Sequence, residues 1–286
     1  MRKSFLLYLA RRWPSPLGKK SFIYTDSLSD RNRKYFWQRY DYVTHNHSPI
    51  DFRDKRVLEI GSGLGPVSFF YSHNFAKLVV GIDLNIENVK AGKHLAVGPD
   101  GKRPSFSIAD ANTLPFQDGS FDLIVADNVF EHFDNPMRVL EESFRVLSPG
   151  GRLVISNFSS ILSRYGAHMK TYIKVPWCNL IFTQRIVVQV LAELAHENPR
   201  IIEDYPAIEQ NPLPHDIRGV RRYNDLNDIT FGKFREITVL AGFRIDEFSV
   251  KYKGNGRFGR IASLFRIPFA SDLLSVGASA ILLKPS

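Results

Sequence analysis

The sequence predicts an α/β protein: a doubly wound seven-stranded sheet with an antiparallel last strand and a mostly helical and irregular insertion after strand five. Three observations carry this reading. Short apolar runs alternate with helix-patterned segments between residues 56 and 156. A glycine cluster, Gly61-Ser62-Gly63-Leu64-Gly65, follows the first apolar run directly. The rhythm breaks at Asn157 and resumes near Asp228. Strand–helix alternation of this kind builds a parallel sheet with helices on both faces.

The elements follow in order. Ser29 to His47 reads as a helix rich in aromatics, ended by Pro49. Arg56–Ile60 is the first strand and runs into the glycines, and Gly65 to His73 is a helix. Leu78–Asp83 is the second strand. Asn85 caps a helix to Ala96. Ser105–Ile108 and Phe121–Ala126 are strands three and four. Pro136 opens a helix to Leu147, because proline suits a first turn. Ser148-Pro149-Gly150-Gly151 reads as a turn before strand five, Arg152–Ser156. Beyond it Gln184–His196 is one helix among prolines at 176, 199, 206, 212 and 214. Asp228–Ala241 is a helix, Phe243–Tyr252 a strand and Gly277–Leu283 the last strand. Four segments are expected: a basic and aromatic N-terminal part (1–50), a core (51–157), an insertion (158–227) and the C-terminal part of the sheet (228–286).

A hydrophobic fraction of 44% fits a globular chain with a real core. The only cysteine, Cys178, excludes an internal disulfide and any cysteine-based zinc site, and reads as a packing residue. That is compatible with a reducing cytoplasm. The net charge of +9 points to an anionic substrate, an anionic surface or nucleic acid. Positive charge gathers early: Arg2, Lys3, Arg11, Arg12, Lys19 and Lys20 occur with no acid among residues 1–20. The apolar run Phe5–Ala10 there is far short of the roughly 20 residues of a membrane span. The readings are a solvated segment, a peripheral membrane contact through a basic surface helix and, last, a mitochondrial presequence, which fits the composition loosely.

The glycine cluster is the sharpest chemical signal. Glycines let the backbone turn tightly and approach a ligand, and the helix behind them offers free N–H groups. Pro66 stands where the third glycine of a dinucleotide-binding loop would fall, which weakens a pyrophosphate reading. Asp83 ends strand two, about 20 residues past the glycines, where a carboxylate can accept both ribose hydroxyls; the lesser alternative is a cap for the helix that starts near Asn85. Asp110 ends strand three and reads either as a loop residue or as a ligand for an adenine amino group.

Together these residues resemble the class I S-adenosylmethionine-dependent methyltransferases, in the branch that holds small-molecule methylating enzymes. The resemblance rests on Val57–Gly65, Gly81-Ile82-Asp83, Ala109–Phe116, Phe121–Val125, Glu131-His132 and Glu141–Gly151, in that order. It implies a Rossmann-like fold whose final strands form an antiparallel end. It also implies S-adenosyl-L-methionine as cofactor. Gly61, Ser62 and Gly63 would line the methionine end, with Glu59 holding the loop and facing the methionine amino group. Asp83 would take the ribose hydroxyls and Leu84 would lie against adenine. Asp110 and Ala111 would bracket the adenine edge, and Asn128 and its neighbours would border the sulfonium.

Methyl transfer needs donor and acceptor positioned, and a hydroxyl acceptor also needs a base. His132, His168 and Asp127 are the candidates, with His215 beside them, each weighed against an ordinary packing or surface role. The acceptor is expected to be a small or glycan-type molecule, methylated at oxygen. A role on nucleic acid is not expected. Amino-methylating DNA enzymes carry Asn/Asp-Pro-Pro-Tyr/Phe after strand four, and this chain has Asp127-Asn128-Val129-Phe130. The rival readings are a nicotinamide oxidoreductase, which lacks its third glycine here, and a non-catalytic scaffold.

Overall fold

The computed structural model describes residues 2–12, 28–46, 50–97, 103–164, 166, 172–199, 201–202, 226–252 and 268–286. His168, His215 and the basic run Arg218 to Arg222 lie outside them. The chain forms two compact units.

The larger unit holds residues 23–158, 232–249 and 278–286. Its helices and strands in chain order are α2 (Leu28–Asn46), β1 (Arg56–Ile60), α3 (Pro66–His73), β2 (Leu78–Asp83), α4 (Ile86–Leu95), β3 (Ser105–Ile108), β4 (Phe121–Asp127), α5 (Pro136–Val146), β5 (Leu147–Phe158), most of α8 (Phe231–Leu240), β6 (Arg244–Tyr252) and β7 (Ser275–Leu283). The seven-stranded sheet has the order β3-β2-β1-β4-β5-β7-β6. The pairs β1–β2, β1–β4, β2–β3 and β4–β5 are parallel, and β7 runs antiparallel to β5. Strand order reverses between β1 and β4. In an open parallel sheet that is where the carboxyl ends leave a crevice.

The elements form for local reasons. Val57, Leu58, Ile60, Leu123, Ile124 and Val125 are buried, as befits central strands covered on both faces. Phe36, Tyr40 and Val43 recur at helical spacing on α2, which packs on α3. Asn85 caps α4 by accepting from the N–H of Glu87 (2.8 Å) and Asn88 (3.3 Å). Asn135 caps α5 through the Arg138 N–H, with Pro136 in the first turn. One aromatic ring gauges the spacing of three segments. A Cβ placed on Gly65 would stand 2.3 Å from Phe106 Cζ; on Gly81, 2.8 Å from its Cδ1; on Gly92, 3.5 Å from its Cε1.

Two expectations are corrected. Ser148–Gly151 is no separate turn but a bulge inside β5: Leu147 pairs with Phe121 and Arg152 with Leu123. Gly150, at φ 76°, supplies the left-handed residue, and its N–H donates to the Lys284 carbonyl at 3.0 Å. The helix expected from Asp228 starts at Phe231. The Ile229 N–H is taken by the Asn227 side chain and the Phe231 N–H by Asp272 Oδ1 at 2.9 Å. The effective cap therefore comes from a distant part of the chain.

The smaller unit draws on residues 1–22, 159–231 and 250–277. In it α1 (Arg2–Arg12) packs on α7 (Gln184–Ala195), burying Leu6 and Ala10 against Val187, Val190 and Leu191. The short α6 (Cys178–Ile181) precedes α7, and α9 (Pro268–Leu274) carries a buried Asp272 whose carboxylate takes the Ser160 hydroxyl. Cys178 is buried and unoxidised; burial pushes its thiol up to about 11, so it stays protonated and inert as a packing residue. Among the described residues no helix is long and apolar enough to cross a membrane.

Candidate functional site

A cleft of about 190 Å³ opens at the carboxyl ends of β1, β2 and β3. Gly61, Asp83, Leu84, Asp110, Ala111 and His132 line it. The first residue of the glycine turn, Gly61, lines the cleft, and the rest of the turn lies beside it. Gly61, Gly63 and Gly65 all have left-handed φ, at 71°, 52° and 81°. A Cβ on Gly61 would stand 2.4 Å from Val129 Cγ2, so this position needs glycine for space as well as for φ. A Cβ on Gly63 would meet nothing within 4 Å, which leaves that stretch of backbone open to a ligand. The Ser62 N–H donates to the Ile82 carbonyl at 2.8 Å and fastens the turn to β2.

Asp83 is not the cap of α4, a place that Asn85 takes, but it holds the cap residue and the glycine turn together. Oδ2 accepts from the Gly63 N–H and Oδ1 from the Asn85 N–H, each at 2.8 Å. It thereby braces the turn and the start of α4 while lining the cleft; Oδ1 also accepts from Asn88 Nδ2 at 3.4 Å, and Oδ2 keeps a lone pair for a further donor. Asp110 is exposed, and its Oδ1 accepts from both the backbone and side-chain nitrogens of Asn112. Ala111 is buried beside it. The segment bearing them is held from behind by α5. Arg145 donates to the carbonyls of Leu114 (2.9 Å) and Phe116 (2.8 Å), and Glu142 accepts the Leu114 N–H at 2.8 Å. The Arg145 guanidinium holds the Glu142 carboxyl below its ordinary range.

Glu59, the fourth residue of β1, is enclosed and does not line the cleft. Its carboxylate accepts the Ser68 hydroxyl, tying β1 to α3 across the glycine turn. Burial pushes its pKa up to about 8; the Ser68 hydrogen bond opposes the shift, and the Asp127 charge adds to it. Asp127 ends β4 in a saturated network. One oxygen pairs with Arg39 of α2, and the other accepts from Ser156 Oγ (2.8 Å) and Asn157 Nδ2 (3.0 Å). Arg39 also lies over the Tyr42 ring at 4.7 Å. Of the base candidates, His132 lines the cleft, Asp127 is committed to this network and His168 lies outside the described residues. Asn128 is exposed in the left-handed region at φ 56°, its N–H bonded to the Ser156 carbonyl.

Sequence reasoning assigned no role to Asn112, Phe133 or Asp134, which also line the cleft, as does Val129, a neighbour of Asn128. The blocks Ala109–Phe116 and Glu131-His132 were the available signal, but they do not show which side chains point inward.

These residues fit S-adenosylmethionine. The carboxylate at the end of β2, the open backbone at Gly63 and the small Ala111 suit a nucleoside joined to an amino acid. Ser62 Oγ and Asn112 Oδ1 are buried without a hydrogen-bond partner among the described residues, so polar capacity is left over at both ends.

The sheet order and this cleft define a class I S-adenosylmethionine-dependent methyltransferase fold. Residues 58–155 match the model of a family described as a methyltransferase domain. Tocopherol O-methyltransferase, chloroplastic, of Arabidopsis thaliana is 34% identical over 102 residues, covering 35% of this chain and 29% of that protein. Demethylmenaquinone methyltransferase of Clavibacter sepedonicus is 36% identical over 106 residues, covering 37% and 42%. Phosphoethanolamine N-methyltransferase of Triticum aestivum is 30% identical over 120 residues, covering 42% and 24%. The match thus spans less than half the length of these relatives. Among solved structures, a chain from the complex between the Haloferax volcanii Trm112 methyltransferase activator and a methyltransferase aligns with TM-score 0.55 at 16% identity, covering 90% of this chain and 94% of that one. A SAM-dependent methyltransferase from Methanosarcina mazei aligns with TM-score 0.50 at 22% identity, covering 85% and 97%. At these identities the structures show the fold alone.

Proposed function

We propose that this chain moves the methyl group of S-adenosylmethionine to a small-molecule acceptor, at oxygen, with a sugar or lipid-linked molecule as the acceptor class. The observation that carries the reading is Asp83, braced by Gly63 and Asn85 at the mouth of the cleft. The names of the tocopherol and demethylmenaquinone enzymes support an acceptor that is small and lipid-like.

The cofactor supplies a methyl carbon already activated by a sulfonium. The protein's work is positioning, which is worth many kcal/mol when the geometry is right. The glycine turn holds the amino-acid end, Asp83 the ribose hydroxyls, and Asp110 with Ala111 the adenine edge. An oxygen acceptor sheds a proton as its bond to carbon forms. In this reading His132, on the cleft wall, receives that proton.

Calorimetric titration with S-adenosylhomocysteine and, separately, NADH tests the cofactor site. Wild type should bind the first and ignore the second. Asp83→Ala should weaken binding at least about tenfold, since hydrogen bonds to a charged group contribute about 1.5–3 kcal/mol each. Binding of NADH alone would overturn the reading.

A further inference from the structure

The outward face of α1 is mixed in a way that a solvated helix has no reason to be. Leu6 and Ala10 point into the smaller unit, against α7. On the opposite side Phe5 is 56% exposed and Tyr8 53% exposed, flanked by Arg11 and Arg12. The Phe5 ring lies 6.5 Å from the ring of Phe182, and the two residues before Phe182, Leu180 and Ile181, are also exposed, Ile181 by 60%. Two chain segments therefore bring apolar side chains to one patch.

Charge accompanies the patch. Helix α1 carries Arg2, Lys3, Arg11 and Arg12 and no acidic residue. Lys3 and Arg11 are paired with Glu193 and Glu197 of α7. Arg2 and Arg12 take no carboxylate among the described residues, and Arg12 lies over the Tyr8 ring at 5.1 Å. Between α1 and α7 runs a groove of about 390 Å³ lined by Lys3, Ser4, Tyr8, Arg11, Arg12 and Glu193, among others. Cationic donors beside a hydroxyl make a seat for a phosphate group.

We propose that this face docks the protein on an anionic phospholipid surface, with Phe5, Tyr8, Leu180 and Ile181 entering the interface and the α1–α7 groove receiving a lipid phosphate. Charge complementarity selects this occupant. Aromatic and aliphatic side chains ringed by arginines match a boundary that is apolar below and negatively charged above. A partner surface without negative charge would leave the excess positive charge without a counterpart. The inference does not depend on the acceptor proposed above, because vesicle binding needs no methyl transfer.

Co-sedimentation with vesicles of pure phosphatidylcholine and of phosphatidylcholine containing phosphatidylglycerol is the test, with inorganic phosphate as a soluble competitor. Wild type should bind the anionic vesicles, bind the neutral ones far less, and be released by salt. Arg12→Glu should weaken binding about fivefold or more. Phe5→Ser combined with Ile181→Ser should weaken it at low salt too. Both variants should keep the wild-type affinity for S-adenosylhomocysteine, which reports that they are folded. Equal binding to both vesicle types, variants that bind like wild type, displacement by millimolar phosphate, or retention by RNA in place of vesicles would each overturn the proposal.

Discussion

Glu59 has its carboxyl enclosed by the protein, and that enclosure has a pH signature. Its folded-state pKa is raised from 4.5 to about 8, so the folded protein holds a proton that the unfolded chain releases earlier. Stability is fully present below the unfolded value and declines as pH rises through 4.5 towards 8. Glu59→Gln stays neutral and removes that slope. Thermal melts of the ligand-free protein from pH 5 to 8 should show wild type losing stability relative to the variant, by at least about 1 kcal/mol at pH 8. Parallel curves would mean that the carboxyl is not enclosed as described. The motif shows an acid beside the glycines. It does not show that Ser68, nine positions later, is its partner, because that contact needs the turn of α3 over β1.

Helix α5 acts at a distance from the ligand. Arg145 and Glu142 grip the segment that follows β3, so the helix fixes where Asp110 and Ala111 stand. Arg145→Leu leaves the carbonyls of Leu114 and Phe116 without their donor. It should weaken S-adenosylhomocysteine binding severalfold and lower stability by about 1–3 kcal/mol, while Glu141→Gln, an exposed change, should alter neither. Unchanged affinity in the Arg145 variant would show that the segment holds itself. Much at this scale was legible. Apolar runs ended by Gly, Asp or Asn marked β1 to β4 closely, and Asn85 and Pro136 marked two helix starts. The start of α8 was not legible, because its cap, Asp272, lies in another helix. The bulge in β5 was read as a turn because Ser-Pro-Gly-Gly has turn chemistry; only the pairing with β4 and β7 shows that the strand passes through it.

At the scale of the whole sheet, the end away from the cleft is locked by one ion pair. Arg56, first in β1, and Asp122, second in β4, form a bidentate pair at 2.7 and 3.1 Å, and the Arg56 N–H adds a third bond at 2.9 Å. The Arg56 hydrogen bonds pull the Asp122 carboxyl down from 3.8 to about 2. Its contribution is present above 3.8 and lost as pH falls through about 2. Asp122→Asn should cost about 1 kcal/mol in urea unfolding at pH 7, given the partial exposure of the pair. That difference should shrink as pH falls below 3.8 towards 2, with S-adenosylhomocysteine affinity at pH 7 unchanged. A constant difference at all pH values would assign the effect to packing instead. Strand order was legible only through the family resemblance: no residue pattern alone says that β7 inserts between β5 and β6.

The Phe106 ring stands against Gly65, Gly81 and Gly92, which belong to a turn, a strand and a helix. One side chain therefore limits the volume that Gly65 and Gly81 are allowed to gain, sharing that role with Ser68 at Gly81, and touches Gly92 at ordinary contact distance. For an evolving lineage this makes the order of changes matter. A methyl group at Gly81 meets both the ring and Ser68 Oγ and fits only once both give way, whereas a smaller residue arriving first at 106 leaves a void until another position grows. Substitutions that look unrelated along the chain share a history, and the glycines of this fold are kept in part by an aromatic ring on another strand.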